Sequence, residues 1–503
     1  MVSQRRAMSQ TRLARHSLFS SAVFVRIVDT LRAKSASSTR PCRPGGSPGG
    51  RLRFSRMPMT VSIPAPDRSR WRVALLLAAP HRLGFFAAAL MMVMLAAWWA
   101  AIMAADTLGV PLPWVVVRPA AHAWAMTMGF MPLFFAGFVF TAVPKWLSLR
   151  PVPARRLRMP IASMLIGWPC ALIGFHRSAA LAAFGVGMVA LGWSVVGVRF
   201  GALVRAGRVH DRLLHPRLIA AACGFGALLS WGAVAAIAME QAALLRALAL
   251  AALWGFIAPV FVVATDRLMP YLGGEPPVVP ARWHEAPLWL VLTLLVAETM
   301  RELVDGALTI RLGGPAGGVA SVGVDPLSGG AAVVIGPALF GIAEAAVALL
   351  LLALLLQWLR RQGVRQPLTT MLLISFGWLG TALALRAVAH VCQALGVAAV
   401  AAGLETAALH ALALGYFGGM VFAMATRIAA GQAGWRIAGD VIAWRLWLLA
   451  QIAAWARVAG ALWPGGAMVL LPFAALAWLL ATGGWALCHG RWFGRPRADG
   501  RPG

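Results

Sequence analysis

Apolar residues in this chain come in long blocks, not in the short alternations of a strand or the one-sided stripe of a surface helix. A helix needs about 20 apolar residues to cross a bilayer. Twelve blocks meet that need: 83–105, 120–144, 160–174, 178–198, 217–239, 242–264, 284–304, 331–358, 368–391, 397–425, 438–461 and 466–488. The third is short and contains Trp168-Pro169, which predicts a kink or tilt. Between the blocks, basic residues fall in alternate loops. Arg68, Arg70 and Arg72 precede the first block. Lys145 with Arg155 and Arg156, then Arg199 with Arg205, Arg267 with Arg282, Arg360 with Arg361, and Arg427 with Arg436 follow every second one. The opposite loops hold Arg118, Arg177, Arg246 and Arg311 as their few cations, the last against Asp305 and Asp325. Basic residues favour the cytoplasmic side. The pattern therefore predicts an all-α polytopic bundle of about twelve spans with both termini cytoplasmic.

Composition agrees. Hydrophobic residues make up 60% of 503 and charged ones 12%, half the usual charged share of a soluble chain, about 25%. Tryptophan outnumbers tyrosine 22 to 2, and indole rings collect at membrane interfaces. The net charge of +29 is spread between apolar runs and forms no nucleic-acid-binding face. The partner it implies is the lipid bilayer. Five cysteines stand far apart, without the C-x-x-C of a redox pair or the C-x-x-C-H of covalent haem attachment.

Three domains follow: a basic tail over 1–70, the helical domain over 71–490, and a basic cytoplasmic tail over 491–503. The first is rich in Arg, Ser, Pro and Gly, and "PCRPGGSPGG" at 41–50 builds no packed element. It reads as a disordered tail, or as sequence upstream of a true start at Met57 or Met59. Residues 305–330, glycine-rich and too polar to span, read as the long external loop.

Ionisable groups inside spans each cost about 2.5–3.5 kcal/mol at mid-depth, so they mark candidate chemistry. Glu344 lies in the middle of span 8 and His410 in the middle of span 10. Arg386 and His390 stand four apart on one face of span 9. Glu405, across the turn at Gly396, is the expected ion-pair partner of Arg386. His81, Asp266 and Arg427 sit at span ends. On span 10, Ala411, Gly415, Gly419 and Ala423 form a strip without bulk that lets another helix approach.

His122 opens span 2 in "HAWAMTMGF", and His410 opens "HALALGYFGG". Thr141, Thr265 and Thr426 stand near the ends of spans 2, 6 and 10, which suggests a repeat every four helices. Counted from span starts at 120 and 397, His122 is 2 residues in and His410 13. At 1.5 Å per residue that predicts a depth difference of about 16 Å. The expectation is that they serve separate sites, with His390 as the nearer partner for His122.

The chain resembles the NnrS family of bacterial membrane proteins. The resemblance rests on "APHRLGFFAAALMMVMLAAWWA" at 79–100, "HAWAMTMGFMPLFFAGFVFTAVPKW" at 122–146, "APVFVVATDRLMPY" at 258–271 and "LHALALGYFGGMVFAMATRIAAGQAGW" at 409–435. It covers roughly 75–490 and implies a twelve-helix protein of the inner membrane. It further implies bound haem and copper, held by histidines, with nitric oxide or an electron donor as partner and nitrosative-stress protection as role. His122 and His410, at the two His-Ala positions, become the first ligand candidates, since neutral imidazole suits both metals. The chain departs from the family pattern at Trp124, Asp266 and Gln432, where many relatives carry histidine. A second reading is a secondary transporter with a polar path at Arg386, Glu405, Glu344 and His410. A third is an assembly or sensing partner without chemistry of its own.

Overall fold

The computed structural model describes residues 71–207, 213–268, 285–311, 330–362, 367–433 and 441–497. The expected tail over 1–70 lies outside them, as does most of the 305–330 loop. The described residues build helices and connecting turns, with no strand among them.

The helices are α1 (Pro80–Thr107), α2 (Arg118–Trp146), α3 (Arg158–Arg177), α4 (Ala179–Arg205), α5 (Leu214–Ala238) and α6 (Ala242–Leu268). They continue with α7 (Ala286–Arg311), α8 (Gly330–Gln362), α9 (Pro367–Ala394), α10 (398–433), α11 (Val441–Leu462) and α12 (Ala467–Phe493). Among the described residues, eleven helices are long and apolar enough to cross a membrane. The helix outside that set is α7, which carries Glu298, Arg301, Glu302 and Asp305.

The number of crossings follows from the chain ends. Arg72 N–H donates to the Gly494 carbonyl at 2.8 Å. Arg82 Nη1 donates to the carbonyls of Phe493 at 3.2 Å and Arg495 at 2.8 Å. The start of α1 and the end of α12 therefore lie at the same end of the bundle, which requires an even number of crossings. With α7 counted the number is twelve. The short third span becomes a continuous 20-residue helix with Pro169 inside it.

The spans sort by burial. The apolar stretch of α6 is 94% buried within the protein, that of α2 78% and that of α10 72%, against 28% for α8. Hence α2, α6 and α10 form the centre, joined by α9 at 72%. Aromatic rings fill their junction. Phe135 of α2 packs on Phe256 and Phe261 of α6 at 5.6 and 5.4 Å between centroids, and Phe261 stacks on Phe417 of α10 at 4.8 Å. Leu228, Leu349 and Phe184 point outward from peripheral helices, as lipid-facing residues do.

All three central spans are irregular halfway. α2 breaks at Gly129 and Phe130 into Arg118–Met128 and Met131–Trp146. Pro132 has no N–H to give the Met128 carbonyl, and its ring crowds that oxygen. α6 widens to a π-helical turn at Leu253–Ile257, just before Pro259, which interrupts the Gly255 carbonyl in the same way. α10 is π-helical over Ala411–Gly418, where Gly415 and Gly418 permit close packing. The shared irregularity agrees with a repeat every four helices. So does the ring of neighbours: α12 packs on α1 as α4 packs on α5 and α8 on α9.

Without a hydrophobic drive between helices in lipid, close approach needs small residues. The strip on α10 supplies them. A Cβ at Gly415 would come within 2.4 Å of the Trp378 ring, and one at Gly419 within 2.3 Å of Ser375 Oγ, so the strip lies directly against α9.

Candidate functional site

His122 and His410 meet. Their rings lie 6.4 Å apart between centroids and within 17° of parallel. The expected difference in depth is thus wrong. His122 lies 4 residues beyond the start of α2 at Arg118, and His410 12 beyond the start of α10 at Ala398. The first turns of α10 therefore stand further out than those of α2, and residues 395–400 are exposed there. Counting from span starts assumed that both helices begin at one plane.

His410 Nδ1 lies 2.8 Å from the Thr406 carbonyl. A carbonyl can only accept, so Nδ1 carries the hydrogen and the neutral ring keeps a bare lone pair on Nε2. His122 packs its face on Trp99 of α1 at 3.7 Å, and its Nδ1 is buried without a hydrogen-bond partner. Two cations flank the pair. The Arg118 guanidinium lies over the Trp99 ring at 5.3 Å and pairs with Asp106. Arg457 of α11 acts electrostatically on both imidazoles. The centre therefore brings two imidazoles together beside an indole face, with the Arg118 guanidinium over that indole.

His390 lies in a different cluster. Its Nδ1 is 2.7 Å from Glu344 Oε2, and its Nε2 is buried without a hydrogen-bond partner. The expected pairing of Arg386 with Glu405 is also wrong. Arg386 Nη2 bonds Glu298 Oε2 at 2.5 Å and Glu302 Oε1 at 2.9 Å. Its Nε donates to Glu298 Oε2 at 3.0 Å and lies 3.1 Å from Glu344 Oε1. Glu405 instead accepts from Gln393 Nε2 at 2.5 Å. The reason lies on α7, whose Glu298 and Glu302 reach Arg386 first. Arg301 of the same helix bridges Glu298, Glu302 and Asp305. Glu298, Glu344, Arg386 and His390 are all buried to within 1%, and Arg386 also lies 4.8 Å over the Trp254 ring. Ligand atoms of Glu298, Glu344 and His390 fall within 4.8 Å of one another, the arrangement of a possible metal-binding group.

Sequence reasoning overlooked Glu298, Arg301 and Glu302. Their spacing in "VLTLLVAETMRELV" at 291–304 puts all three on neighbouring positions of one helix face, inside a block otherwise apolar enough to span. That was the available signal. Trp99 and Arg457 were likewise missed, and nothing in their spacing relates them to His122 or His410.

The remaining candidates are scattered. Asp266 accepts from, or pairs with, His215 of α5 at 2.9 Å. Arg427 lies half-buried on the last part of α10. His81 is buried at the start of α1. Its backbone N–H donates to Thr141 Oγ1 at 3.1 Å, while neither ring nitrogen has a hydrogen-bond partner. Trp124 is fully buried, and the Gln432 side chain lies outside the described residues. Near Phe85 of α1, the inner halves of α2, α6 and α10 line a partly open apolar pocket of about 50 Å³, walled by Phe134, Phe135, Phe138 and Phe261.

These features define a multi-pass α-helical membrane protein with a histidine pair in its central helices and a buried ionic cluster beside them. The sequence model described as NnrS protein matches residues 75–497, and the chain belongs to that family. Comparison with curated proteins gives no match.

Proposed function

We propose that this protein binds haem, with copper as a second metal, through His122 and His410, and acts in nitric oxide metabolism or nitrosative-stress protection at a bacterial inner membrane. The observation that carries this reading is the pairing of the two rings at 6.4 Å. Two imidazoles at that separation are close enough that both could hold one metal ion. The donor set also fits. Thr406 fixes His410 in the tautomer that offers Nε2, as a second-sphere acceptor does for a metal-bound histidine. Trp99 fixes the plane of His122 from the other side.

A haem iron or copper ion held here would supply the metal chemistry that nitric oxide requires. The protein's own residues orient the imidazoles, exclude water through the packed aromatic centre, and offer Arg118 and Arg457 as counter-charges for the carboxylates of a haem. His390 belongs to the ionic cluster and is not part of this donor set. The transporter reading gathers Arg386 and Glu344 into one buried cluster with Glu405 near its rim. His410 bonds instead to the Thr406 carbonyl of its own helix.

The test is spectroscopic. The purified full-length protein is expected to show a haem Soret band that shifts on titration with nitric oxide, with metal analysis reporting haem iron and copper. His122→Ala and His410→Ala are each expected to lose bound metal while eluting as folded protein. A parent with neither metal, or two variants that both keep full metal content, makes the histidines structural and ends this reading.

A further inference from the structure

The cluster between α7, α8 and α9 pairs its charges unevenly. Arg301 bonds Glu298, Glu302 and Asp305, while Arg386 bonds Glu298 and Glu302 and faces Glu344. Four carboxylates thus share two guanidiniums. The next charged groups, Glu405 of α10 and Arg246 of α6, cancel each other. Two negative charges remain unmatched, one at Asp305 on the rim and the other among buried side chains. Buried charges are paired or they coordinate a metal ion.

Donor atoms stand together at the same place. One ligand atom each from Glu298 of α7, Glu344 of α8 and His390 of α9 lies within 4.8 Å of the other two. Glu298 Oε1, Glu344 Oε1 and His390 Nε2 are buried with no hydrogen-bond partner. In a tetrahedral site with bonds of about 2.1 Å, neighbouring donors stand about 3.4 Å apart. The three donors therefore need to close by about 1.4 Å at most, and the terminal carboxylate torsions are soft enough to supply it. Arg386 leaves the place open. Its Nε and Nη2 both bond Glu298 through Oε2, so Oε1 stays bare. A carboxylate accepts on both oxygens. The guanidinium thus orients the ligands from behind, as the outer shell of a metal site does. The 2.7 Å contact of His390 Nδ1 with Glu344 Oε2 holds the imidazole against its co-ligand.

We infer that Glu298, Glu344 and His390 form a site for one divalent cation of the zinc type, separate from the histidine pair of α2 and α10. Two carboxylates with one imidazole suit a divalent ion of intermediate hardness, and the set holds no soft sulfur. The two charges of the ion match the two unmatched carboxylates. A way in runs along one face of α7. Glu298, Glu302 and Asp305 follow at spacings of four and three, and their side chains rise from 0% to 10% to 55% exposed. The cation enters from the Asp305 end. Each ligand comes from a different helix, so the ion ties α8, the span least buried within the protein, to α7 and α9.

Zinc itself is the probe. The full-length protein in lipid nanodiscs is stripped with a chelator and dialysed to equilibrium against zinc. The parent is expected to bind one zinc ion per chain that Glu344→Gln and His390→Ala each lose, and that His122→Ala and His410→Ala each keep. X-ray absorption at the zinc edge should show an oxygen and nitrogen shell containing one imidazole. Asp305→Asn is expected to keep the ion and slow its uptake. A parent that binds no zinc, or a zinc content unchanged in both Glu344→Gln and His390→Ala, overturns the site. So does a zinc shell without imidazole. Zinc that is lost with His122→Ala instead belongs to the histidine pair and overturns it as well. Should one of the two cluster variants fail to fold, the other decides. Haem and copper content at His122 and His410 is read separately, so either assignment can fail without the other.

Discussion

Gly415→Ala adds one methyl group where the central helix α10 meets α9. Its Cβ would stand 2.4 Å from the Cγ and Cδ2 atoms of Trp378. Carbon atoms in contact sit about 3.5–4.0 Å apart, so the indole or the helix must retreat by about 1 Å. Trp378 is poorly placed to do so. Its Nε1 donates to Gln451 Oε1 at 2.7 Å, and its ring lies 4.5 Å from that of Trp455. A retreat of that size carries the donor beyond hydrogen-bond reach, and both groups are buried. Overpacking costs about 1–3 kcal/mol and a buried unpaired polar group about 1–3 kcal/mol. Alanine's better helix propensity returns about 1 kcal/mol. The net expectation is a loss of about 1–5 kcal/mol, the sum of those terms. Unfolding in detergent micelles, followed by tryptophan fluorescence, measures it. Gly483→Ala is the control, since nothing lies within 4 Å of its new methyl, and it should be neutral or slightly stabilising. Adding Trp378→Leu to Gly415→Ala should recover part of the loss, because the bulk that clashes is gone. A Gly415→Ala protein as stable as the parent, or strict additivity in the double variant, would refute the close-packing account.

Two further outcomes follow from the ion pairs and the loop charges. Arg386→Met strips the shared cation from three buried carboxylates and should cost about 3–5 kcal/mol, with Glu298→Gln in the same chain restoring part of it; the same unfolding assay reads both. Reporter fusions after residues 155, 208 and 503 should report the cytoplasm and a fusion after 320 the outside, and a cytoplasmic signal at 320 would overturn the assigned orientation.

Much of the fold was legible because a bilayer imposes one rule on every crossing, a run of apolar residues of fixed length. Each of the twelve blocks corresponds to a helix, including the one holding Pro169. The centre was less legible. Nothing in hydropathy distinguishes α6, nearly wholly buried, from α8, mostly facing lipid, because lipid and protein interior ask for the same residue types. His122 and His410 were visible as polar residues in apolar blocks, but their meeting was not, since relative helix height is set by packing. Arg386 announced itself in the same way. Its partners on α7 were overlooked: Glu298 and Glu302 lie toward the end of the apolar block over 284–304, but the helix continues to Arg311 and leaves them inside it. Arg457 and Trp99 join the histidines through tertiary contact alone.

The backbone bond between Arg72 and Gly494 makes the helical domain a ring with a seam. Across the seam α1 packs on α12, and one main-chain hydrogen bond and the Arg82 side chain, bonded to two carbonyls, tie the chain ends together. Helix order in the chain and helix position in the ring are therefore separable properties. A circular permutant that joined residue 494 to residue 72 and opened elsewhere would trace the same circle of neighbours. Where it opened would decide which side of the bilayer received its ends. A cut after an even-numbered helix leaves both termini on the face where they now lie. A cut after an odd-numbered one, such as α7, carries both to the opposite face. The seam thus makes sidedness of the termini a choice of cut site rather than a fixed consequence of the architecture.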